Sequence, residues 1–564
     1  MNGVEEPSRT RSAPATGLSV TIASARSGDP VLRVGEHWLD DPDDPVVAAA
    51  RFADEEQVQG VDRVVLFGAG LGYRLARLRA LGVPHVHAFE PLPRLLQLGR
   101  ERYPDRFEGA ALHTDAGALL EALVESGRPD EHLLLLTTRA YQALFPAALR
   151  SVQEAIVEAE AYQRMRHDTL RLRSAAIVEA GVRNLRGLAG SRRPPDLGGL
   201  PVFLIGAGPS LDRNAAGLEA AARKGLLVAV NTSAPVLIER NLPIDLLVSI
   251  ESLDVSENLR RAAPSTSMIA LELTANAESA AVLGPERAFF EGTTPLGIAE
   301  ALGLPRLEHP GNVMGAALSL CASWGASPIL LLGQDCALLG DRLYASGTGR
   351  EACRARAEGG ILLLEHDAKT AAIFERGGIA APRRRQRLRL PAWGGVGEVE
   401  SMPSLAEMRR WLSRAPGRWP GRTLINATEG GARIEGLPER TLASILARLP
   451  DLPASPDRAE LLPRRIQASP RIEEAELAPQ LLMLRDRLRA VRQSARECQR
   501  AQRGRPRRME QLREAARLAP AVNAHAAGPL LELRAERLDA DARARRTFEI
   551  IEASAARLLS LLAA

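Results

Sequence analysis

Short runs of apolar residues alternate with amphipathic stretches in two parts of the chain. Between Val61 and about Thr138, the runs in "DRVVLFGAGLGY", "HVHAFEP" and "HLLLLTT" have the length of strands rather than helices. A second series of strands is predicted at Val202–Ile205, Leu227–Val230, Leu246–Ile250, Met268–Leu271 and Ile329–Leu332. Because strands that alternate with helices form parallel sheets, the pattern predicts an α/β fold.

Helical patterns separate and follow these two regions. Residues from Phe145 to about Leu188 read as helix, and "SRRPPDLGG" (Ser191 to Gly199) reads as a connection. After Pro456 the strand signals fade, and amphipathic helices with Arg-rich outer faces follow. The sequence therefore predicts a Rossmann-like N-terminal domain over residues 1–160 with a disordered tail at 1–17, a Rossmann-like central domain over 161–455, and an α-helical C-terminal region over 456–564.

Composition argues against nucleic acid as a partner. The 564 residues include 73 basic and 69 acidic ones, a net charge of +4, and only 4% are aromatic, too few for base-stacking surfaces. The four cysteines lack metal-site or disulfide spacing, and the N-terminal stretch lacks the apolar core of a signal peptide. No apolar run approaches the length that crosses a bilayer. We therefore expect a cytoplasmic protein without a membrane span, a cysteine metal site or a nucleic-acid partner, and the requirement for a metal ion stays open.

A glycine-rich turn follows the first predicted strand. Gly68, Gly70 and Gly72 form this turn, and Glu90 ends the next strand about 20 residues later, where such folds hydrogen-bond a ribose. An S-adenosylmethionine or dinucleotide site is one interpretation. Against it, Leu66 stands where methyltransferases usually carry an acid, and the turn lacks the third spaced glycine of a dinucleotide fingerprint. We predict a scaffold domain that holds no S-adenosylmethionine.

A second turn, in "PVFLIGAGPSLDRN", follows the first strand of the central region. Gly206 and Gly208 allow a sharp turn and the close approach of a ligand. A helix is predicted to begin near Ser210 or Leu211, with Asp212 in its first turn. The amides at such a helix start suit an anion, so the turn is a candidate phosphate site. A packing turn is the alternative.

Polar residues also follow the neighbouring strands of the central region. Asn231 and Thr232 follow one strand in "VAVNTSA", Glu251 emerges from the next in "LLVSIESLD", and Asp335 follows Ile329–Leu332. Each of these residues alone is more often a cap or turn residue than a ligand-binding one. Because parallel strands end at the same edge of a sheet, we expect these residues to form one ligand site there.

The order of these motifs resembles the bacterial motility accessory factor (Maf) family of flagellin glycosyltransferases. The resemblance spans Asn184 to about Leu449 and rests on GxGPSL, Asn-Thr, the acid after the next strand, "GNVMGAALSLCASWGASPILLLGQDCA" and "LINATEGGARIEG". It implies transfer of a nonulosonic acid, of pseudaminic or legionaminic type, from a CMP-activated donor to Ser or Thr of flagellin or another surface protein. The central region is also similar to bacterial sialyltransferases and to an archaeal 6-hydroxymethyl-dihydropterin diphosphokinase (MptE-like).

From the motifs and the resemblance together we predict a donor site and two catalytic residues. Asp335 is expected to stabilise the oxocarbenium-like sugar, and His309 and Asp335 are candidates for the general base. The predicted donor-binding residues are Gly206, Gly208, Pro209, Ser210, Leu211, Asn231, Thr232, Glu251, Asn312, Gly333 and Gln334. Relatives often carry Asp at the positions of Asn231 and Glu251, and His within "GDRLYASG", where this chain has Tyr344.

Two other functions fit the same residues. A diphosphokinase would bind ATP phosphates at the turn and hold Mg²⁺ between Glu251 and Asp335. A non-enzymatic protein would bind a nucleotide while its helices assemble a complex. The sequence specifies neither the sugar, the acceptor nor the oligomeric state.

Overall fold

The computed structural model describes residues 19–127, 131–284, 286–292, 294, 296–377, 380–452, 458–500, 506–535 and 540–563. The predicted tail at residues 1–17 lies outside them. Contacts between Cα atoms divide the chain into two compact units, of which the first ends at Arg166 and the second begins at His167. The predicted domain boundaries near residues 160 and 455 stay predictions.

The first unit is built on a parallel sheet. Its strands are β1 (Val20–Ser24), β2 (Pro30–Val34), β3 (His37–Trp38), β4 (Arg63–Phe67), β5 (His85–Phe89), β6 (Ala111–His113) and β7 (Leu133–Thr137). The helices that begin in it are α1 (Pro45–Glu55), α2 (Tyr73–Ala80), α3 (Pro93–Arg102), α4 (Ala116–Ser126), α5 (Arg139–Leu144) and α6 (Pro146–Asn184), which continues into the second unit.

Two sheets form within the first unit. The strands β6-β5-β4-β7 pair in that order and run parallel, while β1, β2 and β3 form an antiparallel sheet. Val65 and Phe67 of β4 pack into one apolar cluster, and Val64 and Leu66 pack into another. From Val64 to Phe67 this central strand is apolar because helices cover both faces of a parallel sheet.

The second unit contains twelve strands among the described residues. They are β8 (Val202–Ile205), β9 (Leu226–Val230), β10 (Ile244–Ser249), β11 (Thr266–Glu272), β12 (Arg287–Phe290), β13 (Ile329–Leu332), β14 (Arg354–Glu358), β15 (Ile361–Glu365), β16 (Arg384–Gln386), β17 (Leu388–Pro391), β18 (Glu398–Ser401) and β19 (Leu424–Asn426).

Helices connect these strands and follow them. They are α7 (Leu211–Asn214), α8 (Leu218–Lys224), α9 (Ala234–Glu239), α10 (Ser256–Ala262), α11 (Ala277–Ala281), α12 (Val313–Ser323), α13 (Ala368–Arg376), α14 (Pro403–Ser413), α15 (Ala415–Arg418), α16 (Leu442–Leu446), α17 (Arg458–Ala468), α18 (Glu474–Arg500), α19 (Pro506–Leu518), α20 (Pro520–Ala535) and α21 (Ala540–Ala563).

A seven-stranded parallel sheet organises the second unit. Its order is β12-β11-β10-β9-β8-β13-β19, so the chain proceeds outward from β8 through β12 and then returns to the other side of β8. The order of the strands therefore reverses between β8 and β13. In open α/β sheets, such a reversal opens a crevice at the carboxyl ends of the two strands, where ligands bind.

The C-terminal helices pack on one face of this sheet. Leu484 and Leu488 of α18 share an apolar cluster with Phe203 and Ile205 of β8. Val202 and Leu204 face the opposite cluster, together with residues of α12. The predicted fold class, with two Rossmann-like parallel sheets and a helical C-terminal region, is confirmed. Within the described residues, no helix combines the length and apolarity of a membrane span.

Candidate functional site

The site begins where β8 and β13 end side by side. The amide of Gly206 donates to the carbonyl of Leu332 at 2.8 Å, and the amide of Gly208 donates to the carbonyl of Gly333 at 2.9 Å. The ladder between the two strands thus continues into the turns that follow them. The predicted turn at residues 206–211 and residues 333–335, which leave the end of β13, therefore lie side by side where the strand order reverses.

Asp335 lies beneath this turn and is bonded to Ser210. Oδ1 of Asp335 accepts from the Ser210 amide at 3.1 Å, and Oδ2 accepts from the Ser210 hydroxyl at 2.7 Å. The Asp335 residue is 3% exposed. Burial raises the pKa of Asp335 to about 6, while the hydrogen bonds from Ser210 lower it. The carboxyl group therefore caps the amide just before α7 and joins the two strand exits.

The space beside Gly208 is filled by the protein itself. A Cβ at Gly208 would overlap Oδ2 of Asp335 and would lie 2.7 Å from the Gly333 carbonyl oxygen. Real Cβ atoms do not approach other atoms so closely, so a larger residue would displace the carboxylate. Glycine is therefore required at position 208 because the Asp335 carboxylate packs directly against its backbone.

The "NATEGGA" segment wraps the far side of Asp335. The Ala432 amide donates to the Asp335 carbonyl at 2.7 Å, and the Thr428 hydroxyl accepts from the Gln334 amide at 3.2 Å. A Cβ at Gly431 would lie 2.7 Å from the Asp335 carbonyl carbon. Two of the motifs on which the resemblance rests, GQD and NATEGGA, therefore pack against one another after β13 and β19.

Asn231 and Thr232 lie at the end of β9, the next strand. Asn231 is 4% exposed, and no described residue hydrogen-bonds its carboxamide. Thr232 is partly exposed. The adjacent Ser233 hydroxyl donates to the Ile205 carbonyl at 2.6 Å and so joins this exit to that of β8. An unpartnered, largely buried carboxamide beside a strand reversal is suited to hydrogen-bond a ligand.

Glu251 follows β10, one strand beyond Asn231. Its Oε1 accepts from the Leu253 amide at 3.0 Å, and its side chain is partly exposed. Arg173 of α6 lies beside it and donates to the Ser252 carbonyl at 2.8 Å. Burial lowers the pKa of the Arg173 guanidinium, and the charge of Glu251 raises it. This end of the sheet thus carries one acidic and one basic group.

Charged side chains also lie along the rim of the turn. Arg342 contacts Oδ2 of Asp212 at 2.6 Å, and the Ser346 amide donates to Oδ1 of Asp212 at 2.9 Å. Burial would raise the pKa of Asp212, but the bonds from Arg342 and Ser346 hold it below its usual range. The Ala345 amide donates to the Ala207 carbonyl at 2.9 Å. The segment after β13 therefore lies across the turn and brings a guanidinium to it.

His309 belongs to a second buried cluster at the same edge. Its Nε2 lies 3.6 Å from Oε2 of Glu272 without a hydrogen-bond partner, and its Nδ1 accepts from the Gly311 amide at 3.2 Å. Glu291, which follows β12, is also buried, and both burial and the charge of Glu272 raise its pKa. His309 is 6% exposed, so both ring nitrogens are surrounded by protein atoms rather than solvent.

Two further predicted residues point away from the turn. Oδ1 of Asn312 accepts from the Gly315 amide at 2.9 Å, which makes Asn312 the N-cap of α12. Nε2 of Gln334 donates to the Met408 sulfur at 3.2 Å, in the core. Pro209 and Leu211 are buried.

The structure brings together part of the predicted set. Residues 206–211, 231–232 and 333–335 meet at the ends of the adjacent strands β9, β8 and β13. Glu251 and Asp335 follow strands three spacings apart, about 14 Å, and Glu272 beside His309 follows a strand four spacings from β13, about 19 Å. Sequence reasoning missed Arg173, Ser233 and Arg342. A serine two residues after Asn231 carries no distinctive signal, and neither arginine stands out in an Arg-rich chain.

Comparison with known proteins adds a partial match. Residues 182–341, less than a third of the chain, match the model of the family described as "MptE-like: 6-hydroxymethylpterin diphosphokinase MptE-like". No curated protein matches the chain. Among solved structures, the chain is similar to a Maf glycosyltransferase from Magnetospirillum magneticum AMB-1, with 16% sequence identity, a TM-score of 0.49, and coverage of 96% of this chain and 91% of that chain. The sequence motifs predicted a resemblance to both kinds of protein.

Proposed function

We propose that this protein is a cytoplasmic glycosyltransferase that binds a nucleotide-activated sugar at the carboxyl edge of the seven-stranded sheet. The donor is a CMP-activated nonulosonic acid of pseudaminic or legionaminic type, and the acceptor is a Ser or Thr of flagellin or another surface protein. The observation that carries the proposal is the meeting of the GxGPSL turn, Asn231 and the GQD exit where the strand order reverses between β8 and β13. Those motifs are the ones on which the resemblance rests.

Each part of the site has a proposed role. Asn231 and Thr232 recognise the nucleoside of the donor, since a free carboxamide and a hydroxyl match the hydrogen-bonding groups of a base and a ribose. Arg342, held at the turn by Asp212, neutralises the departing phosphate.

Asp335 acts through Ser210 rather than by touching the sugar. Its carboxyl group is buried and bonded to both the amide and the hydroxyl of Ser210. The carboxyl therefore holds the turn in place for the donor phosphate.

His309 is assigned to the cluster with Glu272, remote from the turn. We propose that Glu251, a partly exposed carboxylate one strand from Asn231, accepts the proton of the acceptor hydroxyl.

A transfer assay tests this function. The full chain is incubated with a CMP-activated nonulosonic acid and a Ser/Thr acceptor protein, and mass spectrometry measures CMP release and the mass added to the acceptor. We expect both products, and both decrease together in Glu251→Gln. CMP release without any added mass on the acceptor would contradict a transferase and indicate hydrolysis.

The match to the MptE-like family favours pyrophosphoryl transfer as a second candidate. This reaction would use ATP and a hydroxymethylpterin and would release AMP. Glu251 and Asp335 do not fit a shared Mg²⁺ site, because their strands are about 14 Å apart and Asp335 is bonded to Ser210. Formation of AMP and a pterin diphosphate in the same assay would support this candidate over the first.

A further inference from the structure

The glycine turn of the first unit is occupied by one of the chain's own side chains. Tyr141, in α5 after β7, is completely buried. A Cβ at Gly68 would lie 2.5 Å from Cε2 of Tyr141, so the aromatic ring rests directly on the turn. Because β7 and β4 are neighbours and the strand order reverses between them, Tyr141 reaches the turn from across the crevice in which such sheets bind ligands.

The phenol oxygen of Tyr141 completes a hydrogen-bond network with Glu90. The hydroxyl donates to Oε2 of Glu90 at 2.7 Å and accepts from the Gly70 amide at 3.1 Å. The Ala69 amide donates to the same carboxylate oxygen at 3.0 Å. Burial and the charge of Glu90 hold the pKa of Tyr141 well above its usual value, so the phenol keeps its proton and acts as the donor.

These contacts match the chemistry of a bound ribose. In sheets of this kind, the acid after the second strand accepts hydrogen bonds from the ribose, and the glycine turn passes close to the ligand. Here the ring of Tyr141, which is similar in size to a ribose, lies on the turn. Its hydroxyl donates to Glu90 in the way that a ribose hydroxyl would. We propose that the first unit contains a nucleoside site that the side chain of Tyr141 fills.

The acidic side chains beside the turn suit a ligand that donates hydrogen bonds. Asp40, which is 4% exposed, has its carboxylate directed toward Gly70, and a Cβ there would lie 3.3 Å from Oδ1. Two buried acids, Asp40 and Glu90, therefore flank the turn, and Arg74 lies 4.0 Å from Asp40. A neutral ribonucleoside that donates its hydroxyls to Glu90 fits this site.

Truncation of the ring tests the proposal in the full-length protein. Adenosine is titrated by calorimetry into the wild type, Tyr141→Ala and Tyr141→Phe, and 2′,3′-dideoxyadenosine serves as the ligand control. We expect adenosine to bind Tyr141→Ala alone, about tenfold more tightly than the dideoxy analogue, because the site is built for hydroxyl donors. Glu90→Gln added to Tyr141→Ala should abolish this preference. Tyr103→Ala, which truncates a partly buried tyrosine of the same unit, should bind no adenosine.

Other outcomes overturn the proposal. A folded Tyr141→Ala variant that binds neither ligand, or binds both equally, shows that the ring fills space only. Binding of adenosine to the wild type with the affinity of Tyr141→Ala shows that the ring does not close the site. If Tyr141→Ala is insoluble, it is refolded with each ligand. A soluble yield several-fold higher with adenosine than with the dideoxy analogue is expected, and equal yields contradict the proposal.

Discussion

The hydroxyl of Ser210 donates to Oδ2 of Asp335 at 2.7 Å, although the two residues are 125 positions apart in the chain. This bond joins the turn after β8 to the exit of β13, where the strand order reverses. The Ser210 amide donates to the other carboxylate oxygen at 3.1 Å. A buried serine–aspartate pair therefore adds a side-chain link to the backbone hydrogen bonds that hold the two exits together.

Substitution of Ser210 should reduce the free energy of unfolding more than a conservative substitution of Asp335. Ser210→Ala leaves a buried carboxylate without its hydroxyl donor and should lower the free energy of unfolding by about 1–3 kcal/mol. Asp335→Asn should cost less than about 1 kcal/mol, because the amide oxygen accepts from the Ser210 amide while its NH₂ group donates to the hydroxyl. Urea denaturation followed by tryptophan fluorescence measures both, since four of the five tryptophans lie in the second unit.

The ranking of the two variants is the decisive result. If Asp335→Asn is less stable than Ser210→Ala, the negative charge itself is required, and the pair is more than a capping interaction. The same Asp335→Asn variant should retain most of its transfer activity, because the turn is preserved. A loss of about two orders of magnitude would assign Asp335 a direct electrostatic role.

Gly208→Ala should be strongly destabilising. The added methyl group overlaps the Asp335 carboxylate, and overpacking of this kind costs about 1–3 kcal/mol. Gly421→Ala is the control, because nothing lies within 4 Å of a Cβ there. Thermal unfolding compares the two. In the Asp335→Ala background the penalty at Gly208 should become smaller but persist in part, because the added Cβ still lies 2.7 Å from the Gly333 carbonyl oxygen. An unchanged penalty would show that the carboxylate does not contribute to excluding a side chain.

The stabilisation that the buried carboxyl groups of Glu90 and Asp40 give the first unit should decrease as pH rises, while His87, whose pKa burial lowers to about 4, acts in the opposite direction. Burial raises the pKa of Glu90 from 4.5 to about 7 and that of Asp40 from 3.8 to about 6. A carboxyl whose pKa is higher in the folded state stabilises fully below its unfolded pKa, and this contribution is lost as pH rises through the folded pKa. Glu90 alone accounts for about 3 kcal/mol between pH 4 and pH 8. Hydrogen exchange of β4 and β5 across this range measures the loss.

Glu90→Gln isolates this contribution. The difference in unfolding free energy between the wild type and this variant should shrink as pH rises, whereas Glu101→Gln, at an exposed carboxylate, should follow the wild type at every pH. A difference between the wild type and Glu90→Gln that grows between pH 5 and pH 7 would contradict the predicted sign.

The parallel strands were predictable because their burial leaves a local pattern. The predicted Val202–Ile205 and Ile329–Leu332 coincide with β8 and β13, and α7 begins at Leu211 as expected. The predicted sheet missed β12, a four-residue strand that begins with Arg287, and β19, a three-residue strand that ends at Asn426, the first residue of the NATEGGA motif. The order in which the strands pair determines the reversal between β8 and β13. This order depends on contacts between distant segments, so it could not be predicted from any one segment.

The sequence predicted the location of the candidate site better than the contacts of its individual side chains. Residues after parallel strands must share one edge, so the meeting of Ser210 and Asp335 follows from the topology. The side-chain hydrogen bonds do not follow from the topology. Asn312 caps a helix and Gln334 donates to a core methionine, so neither side chain is directed to the turn. The glycine spacing suggested ligand approach, yet the nearest occupant of Gly208 is Asp335 and that of Gly68 is Tyr141.

Calorimetric titration of CMP into the full-length protein tests the central claim most directly, namely that the edge formed by β9, β8 and β13 binds the donor nucleotide. The account predicts that CMP binds the wild type and that Asn231→Ala weakens its affinity by about tenfold or more without loss of stability, because the carboxamide has no protein partner to lose. Asn523→Ala, in a C-terminal helix, should bind CMP like the wild type. Absence of CMP binding to the wild type, or equal affinity in Asn231→Ala, would contradict the account.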